Sequence, residues 1–110
     1  MNWIQFGLVS TGVDEGAIDG FRLAQNYPNP FNPETTISYE LPEQAAVNLT
    51  IYDMKGETII TLINNSVSAG NHRIKWDGND SSGQLVQAGV YFCRLTAGGT
   101  EETIKMVYLR

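Results

Sequence analysis

Apolar and polar residues alternate along most of the chain after Glu34. Ile37, Tyr39 and Leu41 are separated by single polar residues, and the same period of two recurs between Val47 and Ile51. Because successive side chains of a strand point to opposite faces, this pattern predicts half-buried β-strands. By the same reasoning, further strands are expected at 57–63, 72–76, 90–97 and 103–109, with a short one near 21–24.

Turn-forming residues separate these segments. Asp53 and Gly56 stand first and last in a four-residue turn, so the segments on either side of it are expected to form a hairpin. Gly98-Gly99 is a favoured two-residue turn between the last two strands. Short strands with no amphipathic helix between them predict an all-β fold, a seven-stranded antiparallel immunoglobulin-like β-sandwich.

The spacing around one tyrosine supports this fold. Tyr91 follows Gly89 and lies two residues before Cys93, which is the spacing of the tyrosine corner in immunoglobulin-like domains. The chain lacks the partner cysteine of that pattern, so the packing of the tyrosine is expected without the disulfide. The buried face predicted from the alternation consists of Ile37, Tyr39, Leu41, Val47, Leu49, Ile51, Ile74, Trp76, Tyr91, Cys93 and Leu95.

The chain before these strands has a different character. Residues 1–20 contain several glycines and no sustained period, so they are predicted to be a linker or the tail of an upstream domain. Residues 21–110 are predicted to form the folded domain. Three prolines that follow Tyr27 favour a rigid extended loop, and the apolar residues Tyr27 and Phe31 of that loop are expected to be covered by a sheet.

Composition excludes several classes of function. The 110 residues suffice for one domain, and a net charge of −5 argues against nucleic acid as a partner. One cysteine, Cys93, and one histidine, His72, provide neither an internal disulfide nor a zinc site. No apolar run has the length of a membrane span, and residues 1–10 lack the features of a signal peptide. Any export leader is therefore expected upstream.

The candidate chemistry predicts no enzyme, no cofactor and no small-molecule substrate. His72 lies on an alternating strand, where a structural role is expected, and no nucleophile elbow or phosphate-binding loop is present. Cys93 is expected to be a small buried hydrophobe. The oxygen-rich loop 77–83 could hold calcium, but it has no closing bidentate carboxylate. A tight turn that binds calcium weakly or not at all is expected there.

Ordered blocks of the chain carry a resemblance to a known family. They are the segments 26–33, 36–37, 41–42, 51–53 with Gly56, 76–78 with Asp80 and Gly83, 89–92 with Leu95, and 105–107 followed by Arg110. In this order they resemble the type A C-terminal sorting domain of the type IX secretion system. That domain is similar in turn to the immunoglobulin-like domain of the flagellar hook-capping protein. The resemblance covers residues 21–110.

The resemblance implies a secretion and sorting signal. Its expected partners are an upstream cargo domain, a type IX translocon and a sortase-like peptidase. The cargo is expected to pass through the periplasm and the outer membrane and to be secreted or attached to the cell surface. The signal residues carried over from the family are Gly89, Tyr91, Lys105, Val107 and Arg110.

Two alternatives remain beside this interpretation. One is a structural or assembly module, as in the hook cap, in which the sandwich scaffolds other subunits. The other is a carbohydrate-binding module, which would carry exposed aromatic side chains on one face. Trp76 could stack on a sugar if it were exposed, but it alternates with Ile74 and is expected in the core.

Overall fold

A computed structural model describes residues 20–109 of the chain, and within them the fold is all β. The alternation of side chains produces strands with one buried and one solvent-facing side, as the patterning requires. The seven strands are β1 (Arg22–Leu23), β2 (Thr35–Leu41), β3 (Ala45–Tyr52), β4 (Thr58–Val67), β5 (Gly70–Trp76), β6 (Gly89–Ala97) and β7 (Thr100–Tyr108).

The strands form two sheets that pack as a sandwich. The small sheet has the order β1-β2-β5 and the large sheet the order β4-β3-β6-β7, and all pairs are antiparallel. The predicted immunoglobulin-like sandwich is thereby confirmed. Residues 20–109 contain no helix with the length and apolar character of a membrane span.

Both predicted hairpins are present in the large sheet. β3 pairs with β4 across the turn at Asp53, and β6 pairs with β7 across Gly98-Gly99. The two glycines have φ values of 56° and 90°, which a two-residue hairpin turn of this kind requires at both central positions. β4 is longer than the predicted segment 57–63, and two register shifts interrupt its pairing with β3.

The core lies between the sheets and follows the predicted face. All of the predicted core residues are buried except Ile74, which is half-buried because β5 is an edge strand. Trp76 is fully buried, as expected. The buried apolar residues that the alternation did not predict are Phe21, Leu23, Phe31, Val86, Ala97, Met106 and Tyr108.

The loop between β1 and β2, residues 24–34, is called here the clasp loop. Phe31 is 1% exposed and packs in the core, as expected, whereas Tyr27 is 81% exposed, so the prediction of cover for it is wrong. The buried Asn26 amide donates to the Thr35 hydroxyl at 2.9 Å and to the Pro28 carbonyl at 3.2 Å. Because buried polar groups are costly when unpaired, these bonds hold the loop in place.

Candidate interaction surface

Tyr91 forms the hydrogen bond of a tyrosine corner. Its ring is buried and meets the Trp76 ring edge-on, with the centroids 5.5 Å apart. Its hydroxyl donates to the carbonyl oxygen of Gln87, four residues upstream, at 2.6 Å. The structure therefore accounts for Tyr91 by packing and by a bond that fixes the chain where β6 begins.

The other predicted signal residues lie at the same end of the β6–β7 hairpin. Gly89 is opposite Tyr108, and Val107 is opposite Val90 in the ladder. Tyr91 faces the core, whereas Lys105 and Val107 point to the solvent side of the sheet. Arg110 lies outside the described residues. These positions do not test a signal role, which stays a prediction for these residues.

The clasp loop covers the outer edge of β7 near its C-terminal end. Phe31 donates its N–H to the Val107 carbonyl at 2.9 Å and accepts from the Leu109 N–H at 3.0 Å. The Val107 N–H donates to the side-chain oxygen of Asn29, at 2.9 Å. Gln25 donates to the Lys105 carbonyl at 2.7 Å. The backbone N–H and C=O groups at the end of β7 that could pair with an additional strand are therefore already hydrogen-bonded to the clasp loop.

The solvent side of β3, β6 and β7 is called here the outer sheet face. Its ladder places Tyr52 beside Phe92 and Phe92 beside Lys105. The next row places Arg94 between Thr50 and Thr103. The residues of this face that remain half-buried or exposed are Ala46, Asn48, Tyr52, Val90, Phe92, Arg94, Thr96, Glu101, Thr103, Lys105 and Val107.

Arg94 occupies the centre of the outer sheet face. Its guanidinium carbon lies 4.6 Å from the centroid of the Tyr52 ring, and its Nη1 lies 3.7 Å from a carboxylate oxygen of Glu101. A cation over an aromatic ring is attracted to the ring face. A recess of about 260 Å³ lies beside this pair and is bordered by Phe92 and Met54, and Met54 is 72% exposed.

The single histidine and the single cysteine have structural surroundings. The His72 ring stacks on Tyr39 with centroids 5.3 Å apart, and its Nε2 lies 2.8 Å from the Ser68 carbonyl oxygen. Cys93 is fully buried, and burial raises the pKa of its thiol to about 12. A thiol in this setting is almost entirely protonated at neutral pH and is a poor nucleophile.

The oxygen-rich loop 77–83 uses its side chains to shape a turn. One Asp80 carboxylate oxygen accepts from the Ser82 hydroxyl at 2.7 Å, from the Ser82 N–H at 2.9 Å and from the Gln84 N–H at 3.0 Å. These bonds lower the pKa of Asp80. In the described part of the chain, no cluster of three or more His, Cys, Asp or Glu could hold a metal ion.

Comparison with known proteins identifies the family. A model of the FlgD Ig-like domain matches residues 25–101. The chain belongs to the FlgD immunoglobulin-like domain family. Two relatives are the basal-body rod modification proteins FlgD of Salmonella typhimurium and Salmonella typhi, each 32% identical over 97 residues. The match covers 86% of this chain and 36% of each relative, so the chain spans about a third of the length of these curated relatives.

Solved structures support the same fold. FlgD from P. aeruginosa matches with 27% identity and a TM-score of 0.54, over 66% of this chain and 58% of that chain. FlgD from Xanthomonas campestris, described in connection with hook capping in flagellar assembly, matches with 21% identity and a TM-score of 0.56, over 80% and 64%. Dimeric latent PorU from Porphyromonas gingivalis matches with 20% identity and a TM-score of 0.59, over 90% and 10%. The last two likenesses show the fold alone.

These findings correct the predicted function. The sorting-domain prediction is wrong, because the family and its relatives are FlgD proteins, and the alternative of a structural or assembly module fits them better. The same finding overturns the predicted type IX translocon and sortase-like peptidase as partners. It also overturns the predicted passage through the outer membrane to the cell surface. The predicted likeness to the hook-capping protein is confirmed. The domain boundary at residue 20 stays a prediction.

Sequence reasoning missed the outer sheet face. Phe92 and Tyr52 stand at the positions of their alternations that point to solvent, between the buried residues Tyr91 and Cys93 and after the buried Ile51. Large aromatic side chains at outward positions on two strands were the signal that could have found it, since such patches often mark interaction sites.

Proposed function

We propose that this domain is a non-catalytic assembly module, which joins the protein that contains it to a multi-subunit complex through the outer sheet face. Membership of the FlgD immunoglobulin-like family supports an assembly role, since relatives are named for rod modification and hook capping. The observation that carries the proposal is the pairing of Tyr52 with Phe92 on the solvent side of the large sheet, next to the exposed Met54.

The composition of the outer sheet face suits a protein contact. Aromatic residues, Met and Arg are enriched in the buried parts of interfaces, and Tyr and Arg are frequent energetic hot spots. Here Tyr52, Phe92 and Arg94 lie together on adjacent strands, and the charged residues Glu101 and Lys105 lie toward β7 at the side. This arrangement of an aromatic centre with charges beside it is the one that a specific protein partner fits.

Side chains of the outer sheet face already make contacts with one another in the free domain. Arg94 lies between the Tyr52 ring and the Glu101 carboxylate, and contacts of this kind in the free domain reduce the conformational entropy that a side chain loses on association. The aromatic residues project from β3 and β6, the two central strands of the large sheet. A rigid sheet therefore presents the contact residues, and the partner is expected to dock without rearrangement of the domain.

The test uses the whole protein that contains this domain, expressed in its own cells. Phe92→Asp places a charge beside the aromatic residues of the face, and Asn71→Asp is the matched control. Asn71 is an exposed residue of β5 in the small sheet, so it lies outside the outer sheet face. Native electrophoresis of cell extracts is expected to show the wild type and Asn71→Asp in a high-mass complex. Phe92→Asp is expected to migrate as the free protein.

Melting temperatures of the purified domains distinguish loss of binding from loss of folding. Phe92 is half-buried, so Phe92→Thr, which keeps a residue suited to a strand, serves as a second variant. Retention of the complex by both Phe92 variants with an intact fold would refute the proposal. A wild-type protein that never enters a complex would refute it as well.

A further inference from the structure

The solvent side of the small sheet carries a polar groove that is separate from the outer sheet face. Three cross-strand rows of side chains form it. The rows are Arg22, Glu40 and Asn71; Ala24, Ser38 and Arg73; and Tyr27, Thr36 and Lys75.

Small residues in the middle row create the depression. Ala24 and Ser38 leave a floor between the larger side chains on either side, and a recess of about 570 Å³ lies over the first two rows. A second recess of about 260 Å³ lies against Tyr27. Both recesses are lined by Ser38 and Arg73, so they adjoin on one face of the sheet and are described together as the groove. Thr36 and Glu40 are four residues apart on β2, which gives the groove a length of about 13 Å.

Two guanidinium groups in this groove have no partner in residues 20–109. Neither an ion pair nor a hydrogen bond engages the side chain of Arg22 or Arg73 there, whereas the neighbouring Lys75 lies 3.6 Å from the Glu34 carboxylate. Both arginines are exposed, in a chain whose net charge is −5. Because Glu40 is the one carboxylate among the residues that line the two recesses, Arg22 and Arg73 leave an excess of positive charge there. Charge complementarity therefore favours an anionic ligand.

Tyr27 ends the groove with an aromatic ring. A single exposed aromatic residue is ordinary on a protein surface, but this ring is 81% exposed and borders the same recess as Arg73 and Ser38. The rigid ring is an apolar platform at one end of a groove that otherwise carries hydroxyl, amide, carboxylate and guanidinium groups. A ligand that fits has a flat apolar face, several hydroxyl groups and negative charge.

We propose that this groove binds an acidic oligosaccharide of the uronic-acid class. One sugar ring stacks on Tyr27, and the hydroxyl groups of the chain bond to Ser38, Glu40 and Asn71. Carboxylates are held by Arg73 and Arg22, whose planar guanidinium groups suit bidentate contact with carboxylates. An acidic peptide would satisfy the charges, but it would make no particular use of an aromatic platform. The exposed Tyr27 therefore favours the saccharide.

Titration calorimetry with hexagalacturonate tests this proposal on the full chain. Maltohexaose, which is neutral, and hexaglutamate, which is acidic but has no sugar rings, are the comparison ligands. The wild type is expected to bind hexagalacturonate in a salt-sensitive manner and to bind each comparison ligand more weakly. Tyr27→Ala and Arg73→Ala are each expected to weaken binding roughly tenfold, since each removes one of the main contacts.

The matched controls remove similar groups elsewhere. Lys55→Ala removes one exposed positive charge at the β3–β4 turn, and Met54→Ala removes an exposed apolar side chain there; both should bind as the wild type does. Absence of binding at millimolar hexagalacturonate would overturn the proposal, as would unchanged affinity in Tyr27→Ala. Equal or tighter binding of hexaglutamate would replace the saccharide with an acidic peptide. Because the groove lies on the other sheet, a negative result for saccharide binding would leave the proposed assembly role of the outer sheet face unaffected.

Discussion

Replacing Phe31 by Ala removes the side chain that seals the clasp loop against the sandwich. The Phe31 ring is 1% exposed and lies 5.0 Å from the ring of Tyr108 and 5.5 Å from that of Trp76, measured between centroids. Truncation of a buried Phe costs about 3–5 kcal/mol, because its transfer free energy is lost and a cavity remains. A domain of this size is stable by roughly 5–13 kcal/mol, so a large part of its stability is at risk.

The assay is thermal unfolding followed by circular dichroism. For a domain of this size each kcal/mol shifts the melting temperature by about 4–8 °C, so Phe31→Ala should lower it by roughly 12 °C or more. Tyr27→Ala is the control, because it removes an equally large ring from the same loop at an exposed position and should cost about 0.5 kcal/mol or less. Phe31→Ala should also speed hydrogen exchange of the Leu109 amide, which bonds to the Phe31 carbonyl. Equal shifts for both variants would refute the account of the clasp loop.

Three further predictions concern single side chains. Tyr91→Phe leaves the Gln87 carbonyl without its phenolic donor and should lower unfolding stability by about 1–2 kcal/mol in urea; an unchanged midpoint would contradict the tyrosine corner. Hydrogen bonds to the Asp80 carboxylate lower its pKa below the usual 3.8, and the bond from the Ser82 hydroxyl has the largest effect. The ionised Asp80 therefore contributes its full stabilisation above the unfolded-state pKa, and this stabilisation is lost as the pH falls through the lower folded-state pKa. The melting temperature of Asp80→Asn should consequently fall less than that of the wild type between about pH 5 and about pH 2. If both proteins decline equally, this assignment fails. Burial raises the pKa of Cys93 to about 12, so iodoacetamide should alkylate this thiol only as fast as the protein unfolds. Rapid alkylation of the native protein would contradict the buried, protonated state of Cys93.

The alternation of side chains was sufficient to predict the central strands. β3 and β6 have neighbours on both sides, and their inward residues are buried from Val47 to Ile51 and from Tyr91 to Ala97, so these positions follow the period of two. Edge strands are less constrained. Ile74 on β5 is half-buried, and β4 continues through the polar residues 64–66, because an edge tolerates side chains that are partly in water.

The clasp loop could not be predicted from side-chain patterns. Tyr27 and Phe31 are both apolar residues next to proline, yet only Phe31 reaches the core. Both residues are paired through the main chain, Tyr27 with the nearby Thr36 and Phe31 with Val107 and Leu109, which are far away in sequence. Only the second pairing is accompanied by burial of the side chain. Alternation reports which face of a strand is buried, but it carries no information on which irregular segment closes a sheet edge.

The error in function has a structural reason. The blocks that suggested a sorting domain include Phe31, Trp76 and Tyr91. In the core, the Trp76 ring packs against Phe31 on one side and against Tyr91 on another. They mark the sandwich itself, and a fold does not specify a function. Phe92 and Tyr52 lie in the same blocks but are not required by the core, and large apolar side chains at the surface often mark interaction sites.

Site-specific photo-cross-linking can detect contact between the outer sheet face and another subunit in the intact complex. A photoreactive residue placed at the exposed Thr103 reports on this face, and one at the exposed Asn71 reports on the opposite sheet. Irradiation of the intact complex is expected to join the protein to a neighbouring subunit from position 103 and not from position 71. Adducts from position 71 alone, or from neither position while the complex is intact, would contradict a contact through the outer sheet face.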